Sequence, residues 1–205
     1  MTDQRAVFAE AFDVSRETLT QFDAYAALLA DWQQRMNLVG PSTLPHVWDR
    51  HFTDSAQLLA LAGSGHSWLD IGAGAGFPGL VIAILDPSAH VTLVESIAKK
   101  CRFLAAVADA VGIGDRVVIE NRRIETLPRQ KFDVITARAL AALNQLFDWG
   151  LPYAGSGTRW LLPKGVRVHD ELALAARGFA FDHELVPSLT DAEARIVVAM
   201  GVKRR

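Results

Sequence analysis

The run Leu69-Asp70-Ile71-Gly72-Ala73-Gly74-Ala75-Gly76-Phe77-Pro78-Gly79 has the residue types of a ligand loop. It follows a short apolar segment and precedes a helical one. Glycines there let the chain turn tightly and let backbone approach a bound molecule. The spacing Gly74-x-Gly76-x-x-Gly79 also fits the GxGxxG pattern of dinucleotide sites, so the glycines alone leave the cofactor open. Two carboxylates narrow the choice. Asp70, two residues before Gly72, would repel a pyrophosphate but suits a ligand with a sulfonium and an ammonium, which points to S-adenosylmethionine. The plainer reading of Asp70 is a carboxylate held by a helix N-terminus. Glu95 ends the next apolar segment, where a carboxylate can accept both ribose hydroxyls, a feature that nicotinamide sites share.

A second group is Arg50, His51, Asp54 and Ser55. Arg50 and Asp54 are four apart, as are His51 and Ser55, so each pair shares one helix face. They read either as the lining of a pocket or as a surface ion pair beside a hydrogen-bonded histidine. Arg138 could meet a ligand carboxylate or a phosphate, or form a surface pair with Asp133 or Glu125. No His, Cys and acidic residues cluster with metal-ligand spacing, so no metal is expected. The single cysteine, Cys101, allows no internal disulfide and reads as buried filler in a helix.

These residues need a frame. Residues 15–36 predict an amphipathic helix with Ser15 as N-cap and Phe22, Tyr25, Leu29, Trp32 and Met36 on one packing stripe. A second helical stretch is expected from about Leu44 to Leu61, closed by Ala62-Gly63-Ser64-Gly65. Then strands and helices alternate. Strands are expected at Trp68–Ile71, Val91–Val94, Val117–Ile119, Val134–Thr136 and Trp160–Leu162, and the tail holds Phe179–Leu185 and a β-rich Ile196-Val197-Val198. Helices are expected at Leu80–Leu85 and Ala98–Val111. Such alternation predicts an α/β fold with a parallel sheet covered on both faces.

The 205 residues suit one core with a small appendage. No apolar run is long enough to span a bilayer and no signal peptide is visible, so a cytoplasmic location is expected. Net charge is −2 but uneven: residues 1–70 hold nine acids and four bases, residues 95–131 five acids and eight bases. A local basic face, including Lys203-Arg204-Arg205, could meet phosphate.

The chain resembles the RsmG (GidB) family of bacterial 16S ribosomal RNA guanine-N7 methyltransferases over roughly residues 20–165. The matching residues are Asn37-Leu38-Val39-Gly40, Arg50-His51-Phe52-Thr53-Asp54-Ser55, Gly72 to Gly79, Glu95-Ser96-Ile97-Ala98-Lys99-Lys100, Arg123-Ile124-Glu125, Ala137-Arg138-Ala139 and Lys164-Gly165. Lys100 stands where arginine is usual, and Val39 replaces a common threonine. The resemblance implies a class I methyltransferase Rossmann-like sheet, mostly parallel with an antiparallel last strand. An N-terminal helical extension (1–64) would precede the S-adenosylmethionine-binding core (65–205). It implies S-adenosylmethionine contacts at Gly72, Phe77, Ile124, Glu125 and Arg138, to which the loop and strand-end argument adds Gly74 and Glu95. Arg50, His51, Arg123 and Lys164 are candidates for the RNA, with 16S rRNA in a small-subunit ribosomal particle as expected partner and the 530-loop region as expected target.

Guanine N7 carries an in-plane lone pair and no proton, so methyl transfer to it needs alignment and dryness but no general base. Ala137-Arg138-Ala139-Leu140 stands where amino-group methyltransferases carry an Asn/Asp-Pro-Pro-aromatic element, and no cysteine is there for C5-pyrimidine chemistry. Two other readings stay open: a nicotinamide-dependent oxidoreductase, and an RNA-binding module built on a methyltransferase fold.

Overall fold

Asp3 and Ser15 start the first two helices in the same way. The Asp3 carboxylate accepts from the Arg5 and Ala6 amides to cap α1 (Gln4–Ala11), and Ser15 Oγ accepts from the Thr18 amide to cap α2 (Arg16–Gln33). These caps satisfy amides that a helix start leaves bare. The computed structural model describes residues 3–63 and 67–205, so Ser64 and Gly65 of the expected turn, and the 64/65 boundary, lie outside the described residues. Phe22, Tyr25 and Leu29 are buried as the stripe requires, while Met36 falls beyond the helix.

The helical stretch expected from about Leu44 to Leu61 is present, but as irregular turns and not one regular α-helix. The segment is a 3-10 turn (Leu44–His46), a π-helical turn (Trp48–Thr53), α3 (Asp54–Ala56) and α4 (Leu59–Ala62). Hydroxyls compete for its carbonyls: Thr53 Oγ1 donates to Trp48 O at 2.9 Å and Ser55 Oγ to His51 O at 2.6 Å. Such side-chain bonds loosen a regular helical ladder.

From residue 67 the chain alternates as expected: β1 (Ser67–Ile71), α5 (Gly79–Leu85), β2 (His90–Val94), α6 (Ala98–Val111), β3 (Val117–Glu120) and β4 (Phe132–Thr136). Then come α7 (Leu143–Gly150), β5 (Ala154–Lys164), α8 (Val168–Gly178), β6 (Phe179–Pro187) and β7 (Arg195–Arg204). Helices α1, α7 and α8 had no counterpart in the sequence reading. The strands form one sheet in the order β3-β2-β1-β4-β5-β7-β6. The first five are parallel, and β7 runs antiparallel between β5 and β6.

Two apolar layers cover the sheet. One joins Trp68, Leu80, Leu93 and Phe103 to Phe8, Phe22, Tyr25, Leu29 and Phe52, so the N-terminal helices share the core of the strands that follow them. The other packs Leu69, Ile135, Trp160 and Val197 against Leu143, Phe147 and Leu172. No helix among the described residues is long and apolar enough to cross a membrane.

Candidate active site

A cleft of about 770 Å³ opens where β1, β2 and β4 end, the edge at which open α/β sheets hold ligands. The glycine loop forms part of its lining, and most of that loop's amides already have acceptors. Gly72 and Ala73 donate to Val94 O at 2.8 and 3.0 Å, Gly76 to Ala73 O at 2.7 Å, and Gly74 to Glu95 Oε2 at 3.1 Å. At Gly76, φ is +90° and a Cβ would press on Leu80 and lie 2.6 Å from Tyr25 Oη. The fold therefore requires glycine there for space as well as conformation. Tyr25 donates its hydroxyl to Ala75 O at 2.5 Å, so α2 braces the loop from behind.

Asp70 does not line the cleft, which departs from the expectation of a ligand carboxylate. It is fully buried, lies outside the cleft lining, and accepts from the Gly79 amide at 2.9 Å through Oδ2. Burial pushes its carboxyl up to about 7. It still argues against a pyrophosphate, for another reason. Dinucleotide sites seat that anion on the helix N-terminus, and here a carboxylate of the chain itself occupies the first amide of α5.

Glu95 is buried and lines the cleft. Its Oε1 accepts from the Ile97 amide at 2.8 Å and its Oε2 from Gly74, so each oxygen keeps a lone pair for a ligand. Its carbonyl is held by Cys101 Sγ at 3.2 Å and Asn121 Nδ2 at 3.1 Å. Cys101 is thus more than filler. Ile124 opens a 3-10 turn (Ile124–Thr126) after β3 and both lines the cleft and packs into the second apolar layer. Tyr153 Oη donates to its carbonyl at 2.5 Å. Glu125 follows, exposed at the rim.

Arg138, just beyond β4, joins the two sequence motifs. Its Nη1 donates to Asp54 Oδ2 at 3.0 Å and Arg50 O at 3.1 Å, and its Nη2 to His51 Nδ1 at 2.8 Å. The surface pair with Asp133 or Glu125 is not formed. Nor is the Arg50–Asp54 pair, because the π-helical turn displaces the four-residue alignment. Arg50 lies 3.6 Å from Asp191 instead. Guanidinium only donates, so His51 Nδ1 is an acceptor and Nε2 carries the proton, which goes to Thr43 Oγ1 at 2.9 Å. Burial, then the charges of Arg138 and Arg50, press the His51 imidazole down to about 3. Phe77 lies between His51 and Tyr25, stacked at 4.8 and 5.3 Å between centroids, with Arg138 4.9 Å from its ring centre. Its faces are covered, which leaves edge and backbone for a ligand.

The remaining RNA candidates divide. Arg123 is exposed at the cleft rim. Lys164 lines the cleft, but its ammonium is turned to Glu171 at 2.9 Å and Ala141 O at 2.7 Å, with the side chain 8% exposed. The terminal basic run is misplaced for a role at the mouth. Arg195 at the start of β7 lines the cleft, and Arg204 lies at the other end of that strand, about 30 Å away at 3.3 Å per residue. Arg204 is also paired with Asp148 at 2.6 Å. Among the described residues no three metal-binding side chains converge.

The family model described as rRNA small subunit methyltransferase G matches residues 18–197. The chain belongs to this family. The ribosomal RNA small subunit methyltransferase G of Methylorubrum populi is 45% identical over 208 residues, covering 99% of this chain and 98% of the relative. The protein of the same name from Rhizorhabdus wittichii is 41% identical, covering 100% and 95%. Among solved structures, a SAM-dependent O-methyltransferase from Thermotoga maritima gives a TM-score of 0.57 at 15% identity, over 86% of this chain and 71% of that one. That likeness concerns the class I methyltransferase fold alone.

The small subunit methyltransferase G match spans the glycine loop, Glu95, Arg138 and the segment between β6 and β7. That last segment escaped the sequence reading. Ser188, Thr190, Asp191 and Ala194 line the cleft on the β7 side, and the polar types of Ser188, Thr190 and Asp191 are the only sequence sign of a loop there.

Proposed function

We propose that this chain transfers a methyl group from S-adenosylmethionine to N7 of one guanine in 16S ribosomal RNA, in the 530-loop region that the family resemblance suggests, with a small-subunit particle as substrate. S-adenosylmethionine supplies an electrophilic methyl on a sulfonium. The residues present fit it. Glu95 offers two acceptor oxygens to a ribose diol. Ile124 offers an apolar face to adenine, beside Glu125 as acceptor for the exocyclic amine. Gly72, Gly74 and the edge of Phe77 line the space between. Arg138 has three of its five donors engaged by the protein, which leaves two for the methionine carboxylate. The loop amides are taken up internally, which favours a ligand rich in donors and positive charge over a diphosphate.

The observation that favours N7 as acceptor is that the cleft's histidine, His51, is not available as a base. It is the one histidine lining the cleft among the described residues, both its nitrogens are engaged, and burial holds it neutral with little basicity. An amino or hydroxyl acceptor must lose a proton and calls for a base of ordinary strength. N7 does not. The test is mass mapping of 16S rRNA from cells with and without the gene, paired with the pH dependence of single-turnover methyl transfer by the purified chain. A 7-methylguanine that disappears with the gene, and a flat pH profile around neutrality, are expected. An unchanged guanine map, or a bell-shaped chemical step, contradicts the assignment.

A further inference from the structure

Four carboxylates among the described residues line the cleft: Asp54, Glu95, Glu125 and Asp191. Glu95 and Glu125 stand on the β2–β3 side. Asp54 is largely occupied: Oδ2 is paired with the Arg138 guanidinium, and Oδ1 accepts from Thr190 Oγ1 at 3.0 Å and Gln57 Nε2 at 3.1 Å. Asp191 differs. It stands between β6 and β7, on the other side of the cleft. Its Oδ1 accepts from the Glu193 amide at 3.0 Å, and its Oδ2 forms only a half-exposed ion pair with Arg50 at 3.6 Å, beyond hydrogen-bond reach, so both oxygens keep lone pairs for a ligand. The side chain is 41% exposed. The segment carrying it is held, because Leu189 N donates to Gln57 Oε1 at 2.9 Å and Arg50 Nη1 to Thr190 O at 3.3 Å. The carboxylate is therefore presented to the cleft by a tethered loop.

We infer that Asp191 accepts hydrogen bonds from the N1–H and N2–H edge of the target guanine, both selecting the base and stabilising the cation that methylation creates. This rests on the guanine N7 reading. With Glu95 and Ile124 on the β2–β3 side and the glycine loop over β1, the acceptor base has the space over β4, β5 and β7, which is where Asp191 lies. Guanine presents two adjacent donors on its Watson–Crick edge, which one carboxylate can take together. Adenine presents a lone pair at N1, which a carboxylate repels. The edge lies across the purine from N7, so reading it leaves N7 free.

The chemistry adds a kinetic role. The N7 lone pair forms the new N–CH3 bond as the methyl–sulfur pair passes to sulfur. No proton moves, and positive charge passes to the purine. That charge makes N1–H a stronger donor, so its bond to Asp191 tightens as the methyl moves. An interaction stronger in the transition state than in the ground state raises kcat.

The test uses the full chain as wild type, Asp191→Asn and Asp191→Ala. Small ribosomal subunits from cells lacking the gene serve for single-turnover methyl transfer. Guanosine, adenosine and 7-methylguanosine, at a pH where the last is cationic, serve as binding probes. Wild type should bind 7-methylguanosine more tightly than guanosine, and guanosine more tightly than adenosine. Both variants should lose these preferences and transfer methyl about 10- to 100-fold more slowly, as for a lost charged hydrogen bond, with S-adenosylmethionine affinity unchanged as the check on folding. A wild type that does not distinguish the nucleosides overturns the proposal without any variant, and so does a variant rate within about twofold of wild type. Failure of the underlying reading looks different: wild type would leave no methyl on guanine N7 of the subunits.

Discussion

Replacing Tyr25 by phenylalanine removes one oxygen from the interior and keeps the ring. Tyr25 is fully buried, and its hydroxyl meets the carbonyl of Ala75, a residue 4% exposed, at 2.5 Å. The ring stays stacked on Phe77 and beside Phe52, so the aromatic packing is unchanged. What is lost is a donor to a buried carbonyl, which costs about 1–3 kcal/mol when the acceptor is left alone. For a chain of this size 1 kcal/mol lowers Tm by about 2–4 °C, so a fall of roughly 4–8 °C is expected from the middle of that range. The glycine loop is also released from α2. Affinity for S-adenosylmethionine should therefore drop, by no more than the free energy lost from the loop, because a ligand recovers only the difference between the two loop states. Denaturant titration gives the stability at constant m value, and calorimetry gives the affinity. Tyr25→Ala should cost about 3–5 kcal/mol through the lost ring. A Tyr25→Phe variant with unchanged midpoint and unchanged affinity would refute the view that the N-terminal helices position the loop.

Glu95→Ala should weaken S-adenosylmethionine binding by about 1–3 kcal/mol and also lower Tm, since the Gly74 and Ile97 amides lose their acceptor; normal affinity by calorimetry would remove Glu95 from the site. His51 and Asp70 make opposite pH demands. Histidine held down to about 3 loses stability for the fold as pH falls from 6.5, whereas Asp70 raised from 3.8 to about 7 loses it as pH rises through that range. Their effects oppose between about pH 4 and 6.5. Asp70→Asn should therefore lose stability on acidification more steeply than wild type, and His51→Asn less steeply, by up to about 1.4 kcal/mol per pH unit. Parallel stability curves from denaturation across pH would count against both environments. Arg123→Ala should reduce the salt slope of RNA binding by about 1, and Arg204→Ala, far from the cleft and paired with Asp148, should leave it unchanged; the reverse result in a filter-binding salt series would place the RNA on the other end of the sheet.

Local pattern made much of this protein legible. Ser15 and the 3–4 spacing after it specify α2, because capping and one-sided burial are local events. Ala98 to Val111 reads as a helix stopped by Gly112, and the structure has α6 over those residues with Gly112 at φ +69°. The strand–helix alternation specifies a parallel sheet because crossovers demand it, and the motifs from Arg50 to Lys164 mark the family. Other features depend on residues far apart in the chain. Asp70 reads equally as a ligand carboxylate or a helix cap, and only the packing of α5 on β1 decides for the cap. Arg50 and Asp54 read as a pair until the π-helical turn separates them, and Arg138 and Asp191 then take the two partners from 84 and 141 residues away. Lys164 reads as a free cation until α8 brings Glu171 to it. Lys203 and Arg204 read as part of a basic face that could meet phosphate, until β7 runs antiparallel and carries them to the end of the sheet away from the cleft. In each case the residue type sets which interactions are possible, and the tertiary fold selects the partner, because charge pairing acts through space and carries no period along the chain.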